Sequence, residues 1–237
     1  MSSTDPMKLF SKVSNPLRSL PPGKLLLCVL DFEATCDDVN PPSPQEIIEF
    51  PSILLHKIET GCFVVKDEFG SEYGPTGPEN MFVRPKFHPK LTDFCKGLTS
   101  ITQEQVDSAL EFPMVYERHQ QWLEKNGAFD PKNTFYFVTC GDWDLRKMLP
   151  NQLKAYDLDK NFTHFAYSRW INLKKVFAET TGNKTARCLA DMLKFLELPF
   201  DGTPHRGIDD CRNIVKIVQK LNDNYGAEFS RPTASLN

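Results

Sequence analysis

The chain has 237 residues, 40% of them hydrophobic, which is enough for a substantial core in one large domain or two small ones; we expect one. The formal net charge of −3 excludes a strong overall field toward a polyanion, so a nucleic-acid partner would need a local basic lining. The seven cysteines include no Cys-x-x-Cys pair, which argues against a zinc site and a disulfide framework.

The ends of the chain differ from its middle. Residues 1–22 are polar and lack the apolar core of a signal peptide, which predicts a flexible leader. The Gly, Ser and Pro of residues 224–237 predict a flexible tail. The predicted domain lies between them, at residues 23–223. No apolar run approaches the roughly 20 residues that span a bilayer. We therefore expect an intracellular protein, in the cytoplasm or the nucleus, without membrane association.

The first predicted strand ends in two carboxylates. Residues 25–30 form an apolar run typical of a buried central strand, and Asp31 and Glu33 follow it one residue apart. Side chains alternate across an extended chain, so the two carboxylates share one face. Adjacent anions there are costly unless a cation or hydrogen-bond donors compensate them, which makes a divalent metal site the first hypothesis. The alternative is a strand that leaves the core with solvated carboxylates.

Further elements follow along the chain, and strands interleaved with helices predict a mixed sheet flanked by helices. Pro51 predicts a bulge or an edge within the second strand, and His119 is interpreted as a packed core or boundary histidine. The predicted extended segments lie at 46–57, 61–66, 81–85 and 135–140, with a Gly/Pro-rich excursion at 69–80. The predicted helices lie at 91–98, 102–110, 113–125, 141–149, 173–177, 189–196 and from 207 onward.

A further carboxylate follows the strand at 135–140. Gly141 and Asp142 break that strand and open a helix, which places Asp144 in the first turn, where the helix dipole favours a carboxylate. Asp142 is the better candidate for the helix cap, so Asp144 is the better candidate for a metal ligand. The alternative is that Asp144 only stabilises the helix terminus.

A histidine precedes the last helix. Gly207 lets the chain turn into that helix, so His205 lies on a loop and Asp210 in the first helical turn. This arrangement suits a proton acceptor beside a metal ligand; the alternative is a solvated histidine and carboxylates that cap the helix. Carboxylate oxygens suit Mg²⁺ or Mn²⁺ rather than Zn²⁺. Two such ions about 4 Å apart can activate a water for phosphoryl displacement, with His205 taking its proton.

Three motifs carry a family resemblance. In order along the chain, residues 31–36 (Asp-Phe-Glu-Ala-Thr-Cys), 141–145 (Gly-Asp-Trp-Asp-Leu) and 204–214 (Pro-His-Arg-Gly-Ile-Asp-Asp-Cys-Arg-Asn-Ile) resemble the exonuclease motifs of the DEDDh 3′-to-5′ exonucleases. The resemblance to the Eri-type group of that family covers roughly residues 24–222. Segments that are also similar to this group lie at 46–51, 91–99 and 170–175.

The resemblance implies an α/β, RNase H-like exonuclease fold with a mixed five-stranded sheet flanked by helices. It implies a metal-dependent hydrolase that releases 5′-mononucleotides from 3′ ends of RNA and/or DNA, with His205 as general base and Glu33 as the second catalytic residue. The terminal nucleotide would lie against Glu33 and the backbone of Phe32 and Ala34, with His205 also touching it. Two Mg²⁺ ions, which Mn²⁺ can replace, would be held by Asp31, Glu33, Asp144 and Asp210.

The histone-mRNA member of the group carries an RNA-binding module ahead of its nuclease domain. A 22-residue leader is too short for one, so we do not expect stem-loop specificity to transfer. Trp143, Leu98 and Ile101 are candidate walls for the terminal base, each equally consistent with the core. Basic candidates for holding the substrate strand, with Arg146 and Arg206 favoured because they flank the motifs, are Lys86, Lys96, Arg146, Lys147, Lys184, Arg187 and Arg206.

Two alternatives to an exonuclease stay open at this point. One is a non-catalytic nucleic-acid-binding adaptor that kept the fold and lost turnover, although such a protein has no physical reason to retain clustered, costly carboxylates. The other is an unrelated two-metal phosphatase or a structural domain, which would make the order of the motifs accidental. Protein partners stay open as well.

Overall fold

The computed structural model describes residues 23–69, 81–158 and 165–236. The predicted leader at 1–22 and nearly all of the predicted excursion at 69–80 lie outside these residues. The described strands are β1 (Leu25–Leu30), β2 (Glu33–Ala34), β3 (Ile47–Glu49), β4 (Ser52–Lys57), β5 (Phe63–Glu68), β6 (Val83–Arg84), β7 (Leu110–Glu111), β8 (Thr134–Thr139), β9 (Arg169–Asn172) and β10 (Ala234–Ser235). The described α-helices are α1 (Asp93–Thr99), α2 (Gln103–Ser108), α3 (Phe112–Lys125), α4 (Leu149–Ala155), α5 (Leu173–Thr181), α6 (Leu189–Phe195) and α7 (Gly207–Tyr225).

A mixed sheet forms the centre of the molecule, with the strand order β10-β9-β8-β1-β4-β5. β1 is antiparallel to β4 and parallel to β8, and β8 is parallel to β9. The predicted mixed sheet flanked by helices is therefore confirmed. Because β1, β8 and β9 run in the same direction, their carboxyl ends lie at one edge, which is where open α/β sheets bind ligands.

β1 separates two hydrophobic layers. Leu27 and Val29 face a layer that includes residues of α5, α6 and α7, whereas Leu26, Cys28 and Leu30 face a layer that includes residues of α3. Both faces of the strand are covered, which explains why its sequence is uniformly apolar instead of alternating.

The segment predicted as one strand at 46–57 is two strands. β3 and β4 are separated by Phe50 and Pro51, because proline has no N–H to give to a ladder. β3 pairs with β2 in a short antiparallel ribbon that places Glu49 opposite Glu33. The break thus lets the chain form the ribbon at the end of β1 before it enters the main sheet.

The end of the chain departs from the prediction. α7 continues to Tyr225, and the residues after it return to the sheet, where Ala234 of β10 pairs with Trp170 of β9. Phe229 is 2% exposed, and its ring packs edge-on against that of Phe63. The prediction of a flexible tail at 224–237 does not hold for residues 224–236. The main sheet has six described strands where five were expected, because β10 adds one. The Gly, Ser and Pro content of the segment gave no sign that Phe229 is buried.

His119 is a core histidine, as predicted. It is fully buried on α3, with Nδ1 2.9 Å from the Tyr167 hydroxyl and Nε2 2.9 Å from Ser52 Oγ. Burial lowers the pKa of its imidazole to about 3, so it is neutral in the folded protein. Among the helices of the described part of the chain, none has the length and apolar character to cross a membrane.

Candidate active site

Asp31 and Glu33 lie where β1 ends. The apolar residues of β1 are held between β4 and β8, so the chain leaves the sheet at a fixed point, and Glu33 opens the β2–β3 ribbon. Both side chains are half-buried. The predicted carboxylate pair is therefore at the carboxyl end of a central strand.

Asp144 lies shortly after β8, the strand next to β1 in the sheet. A π-helix, Asp144–Met148, follows β8, and Asp144 is 5% exposed. Its Oδ1 accepts a hydrogen bond from the backbone N–H of Phe32 at 3.0 Å. Because β1 and β8 are parallel neighbours, this bond fixes Asp144 against the segment that carries Asp31 and Glu33.

Asp142 was predicted to cap this helix, but its side chain does not do so. Asp142 Oδ1 accepts a hydrogen bond from the indole N–H of Trp170 at 3.0 Å, and the residue at the cap position is Trp143, which makes no side-chain capping bond. The backbone carbonyl of Asp142 instead accepts the N–H of Arg146. Asp142 thus joins the helix to β9.

α7 brings His205 and Asp210 to the same place. His205 is exposed on the loop before the helix and has a backbone φ of 61°, whereas Asp210, in the first turn, is 7% exposed. Single ligand atoms of Glu33, His205 and Asp210 all lie within 4.8 Å of one another. The structure therefore joins residues from the first and third motifs into one cluster.

The electrostatics of the cluster favour a bound cation. Burial, and then repulsion from Asp144, Asp210 and other carboxylates, raises the pKa of Asp31 well above its usual range. Burial and neighbouring carboxylates also raise the pKa of Glu33 to about 9, and burial raises the pKa of Asp210 to about 7 and that of Asp144 to about 6. Oxygen donors that repel one another in this way fit divalent ions such as Mg²⁺, whose charge compensates them.

The predicted nucleotide-contacting residues are only partly available. The ring of Phe32 is buried against Phe50, and its backbone N–H is engaged by Asp144, so only other backbone atoms of Phe32 could contact a nucleotide. Trp143 is 39% exposed and Leu98 38%. Ile101 is fully buried in the small core beneath α1 and α2, so of its two open alternatives the core position is the one found.

The two favoured basic residues make contacts within the protein. The Arg206 guanidinium lies 4.4 Å from the ring centroid of Phe82, and its Nε is 3.5 Å from Glu49 Oε1. Arg146 donates to the carbonyl oxygen of Ser235 at 3.0 Å. Both residues therefore make structural contacts, which their proximity to the motifs in sequence did not predict.

Glu49 is the residue of this region that the sequence interpretation missed. It is fully buried, and its charge contributes to the raised pKa of Asp31, Glu33 and Asp210. The available signal was a glutamate within an apolar strand segment, Ile-Ile-Glu-Phe, a position that polar side chains occupy only when they are paired.

Comparisons with known proteins agree with this geometry. The family model described as Exonuclease (RNase T) matches residues 28–218. ERI1 exoribonuclease 3 of Bos taurus is 41% identical over 206 residues, which cover 86% of this chain and 56% of that protein. The chain therefore spans little more than half the length of this relative.

Solved structures show the same likeness. The nuclease domain of 3′hExo, a DEDDh family member bound to rAMP, aligns with a TM-score of 0.75 at 34% identity and covers 89% of this chain and 96% of that one. A 3′-exonuclease in a structure of 3′-end specific recognition of a histone mRNA stem-loop aligns with a TM-score of 0.73 at 31% identity, over 90% of each chain. This chain belongs to the exonuclease family, in its DEDDh Eri-type branch. Membership implies dependence on a divalent metal.

Proposed function

We propose that this protein is a metal-dependent 3′-to-5′ exonuclease that hydrolyses the terminal phosphodiester bond of RNA and releases 5′-mononucleotides, with DNA 3′ ends as a second substrate. The observation that carries the proposal is the convergence of Asp31, Glu33, Asp144, Asp210 and His205 at one edge of the sheet. A buried group of repelling carboxylates is costly without cations, so an adaptor without catalysis has no reason to keep it.

The proposed cofactor is a pair of Mg²⁺ ions, replaceable by Mn²⁺. Bound to Asp31, Glu33, Asp144 and Asp210, such a pair supplies an activated water and charge stabilisation at the leaving oxygen. The raised pKa values of Glu33 and Asp210 support this assignment, because a cation is what holds these groups ionised at neutral pH.

The protein supplies a base and a surface for the substrate. His205 is exposed within reach of Glu33 and Asp210, which suits a side chain that takes the proton of the attacking water. Glu33 and the backbone of Phe32 and Ala34 orient the terminal nucleotide. Trp143 and Leu98 keep large apolar side chains partly exposed, which suits contact with the face of a base.

The choice of RNA as principal substrate rests on the relatives. The bovine relative is named an exoribonuclease, and the structural neighbour recognises the 3′ end of an mRNA stem-loop. Since this chain spans only part of the bovine protein, we propose for it only hydrolysis at the RNA 3′ end. We do not propose that it recognises a stem-loop, as the structural neighbour does.

A 5′-labelled oligoribonucleotide tests the proposal. With Mg²⁺ we expect a ladder of products that shorten from the 3′ end, and with EDTA no shortening. A matched oligonucleotide with a 3′-phosphate is the control for polarity and should shorten far more slowly. Binding of the RNA without any shortening in Mg²⁺ would favour the adaptor, and internal cuts in the blocked substrate would exclude an exonuclease. A DNA strand of the same sequence tests the second substrate.

A further inference from the structure

Glu49 joins two parts of the candidate site without belonging to the proposed metal ligands. In the β2–β3 ribbon its backbone lies opposite Glu33. Its side chain, which is fully buried, extends to the first residue of α7, where Oε2 accepts a hydrogen bond from the backbone N–H of Gly207 at 3.0 Å. One side chain therefore links the β2–β3 ribbon, which carries Glu33, to the start of α7, which directly follows the loop that carries His205.

The start of α7 depends on this long-range contact. The residue at its cap position, Arg206, makes no side-chain capping bond, and the first N–H groups of a helix need acceptors from elsewhere. The Glu49 carboxylate supplies an acceptor, and its negative charge is favourable at the positive end of the helix dipole. Arg206 Nε, at 3.5 Å from Oε1, lies beside the other carboxylate oxygen.

The helix start also lies directly against the backbone of Asp31, the residue that follows β1. A Cβ added to Gly207 would lie 2.8 Å from the backbone oxygen of Asp31 and 2.8 Å from Cγ of Pro51. Only a glycine allows this approach without displacing the strand. A helix packed this closely cannot shift toward the strand, and the bond to Glu49 restrains it from moving away.

The loop before α7 is held at both ends. Asp209 Oδ2 accepts a hydrogen bond from the backbone N–H of Thr203 at 3.0 Å, while Glu49 holds Gly207. His205 lies between these two points with a φ of 61°, a left-handed conformation that non-glycine residues adopt only when their surroundings impose it. The direction in which the imidazole points therefore depends on both anchors.

We propose that Glu49 is a positioning residue that sets the placement of His205 by holding the first residue of α7. The inference rests on the proposed role of His205 as general base. Glu49 acts through the length of its side chain and one acceptor oxygen, and it contacts neither substrate nor metal.

Side-chain length and charge can be separated by substitution. Glu49→Gln keeps the length and an acceptor oxygen, whereas Glu49→Asp keeps the charge but is one methylene too short to reach Gly207. We expect kcat of Glu49→Gln within about threefold of wild type and kcat of Glu49→Asp lower by about tenfold or more, with KM changed by less than about twofold in both. The reverse order would show that Glu49 acts by charge, for example as a further metal ligand, and would overturn the proposal.

Glu46, which directly precedes β3, provides a matched control for Glu49. Glu46 is equally buried, and its carboxylate accepts hydrogen bonds from the backbone N–H groups of Lys86, Phe87 and His88, away from α7. Glu46→Gln and Glu46→Asp should leave kcat within about threefold, whatever their effect on Tm. If Glu46→Asp lowers kcat as much as Glu49→Asp does, loss of any buried carboxylate explains the result and the proposal fails.

A double-mutant cycle shows whether the effect passes through His205. We expect Glu49→Asp to lower kcat about tenfold in wild type and less than twofold in His205→Ala, because a missing imidazole cannot be misplaced. Equal losses in both backgrounds would overturn the positioning role. The His205→Ala single variant tests the proposed function by itself. If its activity equals that of wild type, the proposed role of His205 as general base is wrong.

Discussion

Asp144 Oδ1 accepts the backbone N–H of Phe32 at 3.0 Å across 112 residues of sequence. The bond locks the start of the helix after β8 onto the segment between Asp31 and Glu33. The same carboxylate has a structural partner on one oxygen and is a proposed metal ligand, so the two roles can be separated by experiment.

The substitution Asp144→Asn separates the structural role of Asp144 from its proposed role as a metal ligand. The amide oxygen still accepts from Phe32, so we expect Tm to change little, while loss of the ligand charge should lower kcat by about 10²- to 10³-fold, the scale of losing one preorganised electrostatic group. Asp142→Asn is the control, since Asp142 contacts Trp170 and should leave kcat within about threefold. An Asp144→Asn enzyme with wild-type turnover would remove Asp144 from the metal site.

The metal-free protein should lose stability as pH rises. Carboxyl groups whose pKa is raised in the folded state hold protons that the unfolded chain has released. Because the unfolded state therefore binds fewer protons, the free energy of unfolding falls with increasing pH. With the pKa of Glu33 raised to about 9, this fall continues from pH 6.5 to 8.5. We expect Tm in EDTA to decrease across that range and Mg²⁺ to raise Tm more at pH 8.5 than at pH 6.5.

Thermal scans in EDTA with Glu33→Gln provide the control for this effect. The variant should show a flatter dependence of Tm on pH, because its amide does not titrate. A stabilisation by Mg²⁺ that is equal at every pH would contradict the assignment of the raised carboxyl groups to the metal site.

Because His119 is buried, we expect it to lower the stability of the protein as pH falls, which is the opposite of the trend expected from the carboxyl groups. Its pKa is lowered to about 3, so the folded state stays neutral where the unfolded chain takes up a proton, and stability is lost as pH falls below about 6.5. His119→Gln cannot titrate there. The difference in free energy of unfolding between wild type and this variant should be larger at pH 7 than at pH 5 by about 2 kcal/mol. Urea titrations at the two pH values measure it, and an unchanged difference would contradict a neutral His119.

Removal of the proposed base should affect turnover and leave binding intact. We expect His205→Ala to lower kcat by about 10²-fold or more, the usual scale for a general base, with little change in the affinity for RNA. A general base accepts a proton only when it is unprotonated, so the wild-type rate should rise with pH and the variant should lose this rise. Single-turnover assays from pH 5.5 to 8 measure it; a profile of the same shape in both proteins would exclude His205.

The positions of the proposed ligands could be predicted because each follows a local pattern. Asp31 ends an apolar run, Asp144 opens a helix after a strand, and Asp210 lies in the first turn of a strongly amphipathic helix. The parallel pairing of β1 and β8 then brings Asp31 and Asp144 together, whereas Asp210 is placed by the packing of α7. Local patterns are also why the buried His119 could be recognised.

The missed features depend on pairings between distant parts of the chain. Glu49 meets Gly207 across 158 residues, and Arg206 turns inward to Phe82, which no spacing rule reveals. The segment after α7 was misjudged for the same reason, since Phe229 finds its partner Phe63 only in the folded protein. Composition describes a segment alone, whereas burial depends on what it packs against.

Release of the terminal nucleotide tests the central claim most directly. RNA carrying a label in its 3′-terminal nucleotide is incubated in Mg²⁺ with wild type and with Asp31→Asn, and the label released as 5′-mononucleotide is counted over time. We predict rapid release by wild type and release at least about 100-fold slower by Asp31→Asn, with both proteins binding the RNA. Equal release by the two proteins, or none by wild type, would contradict a catalytic metal centre at the end of β1.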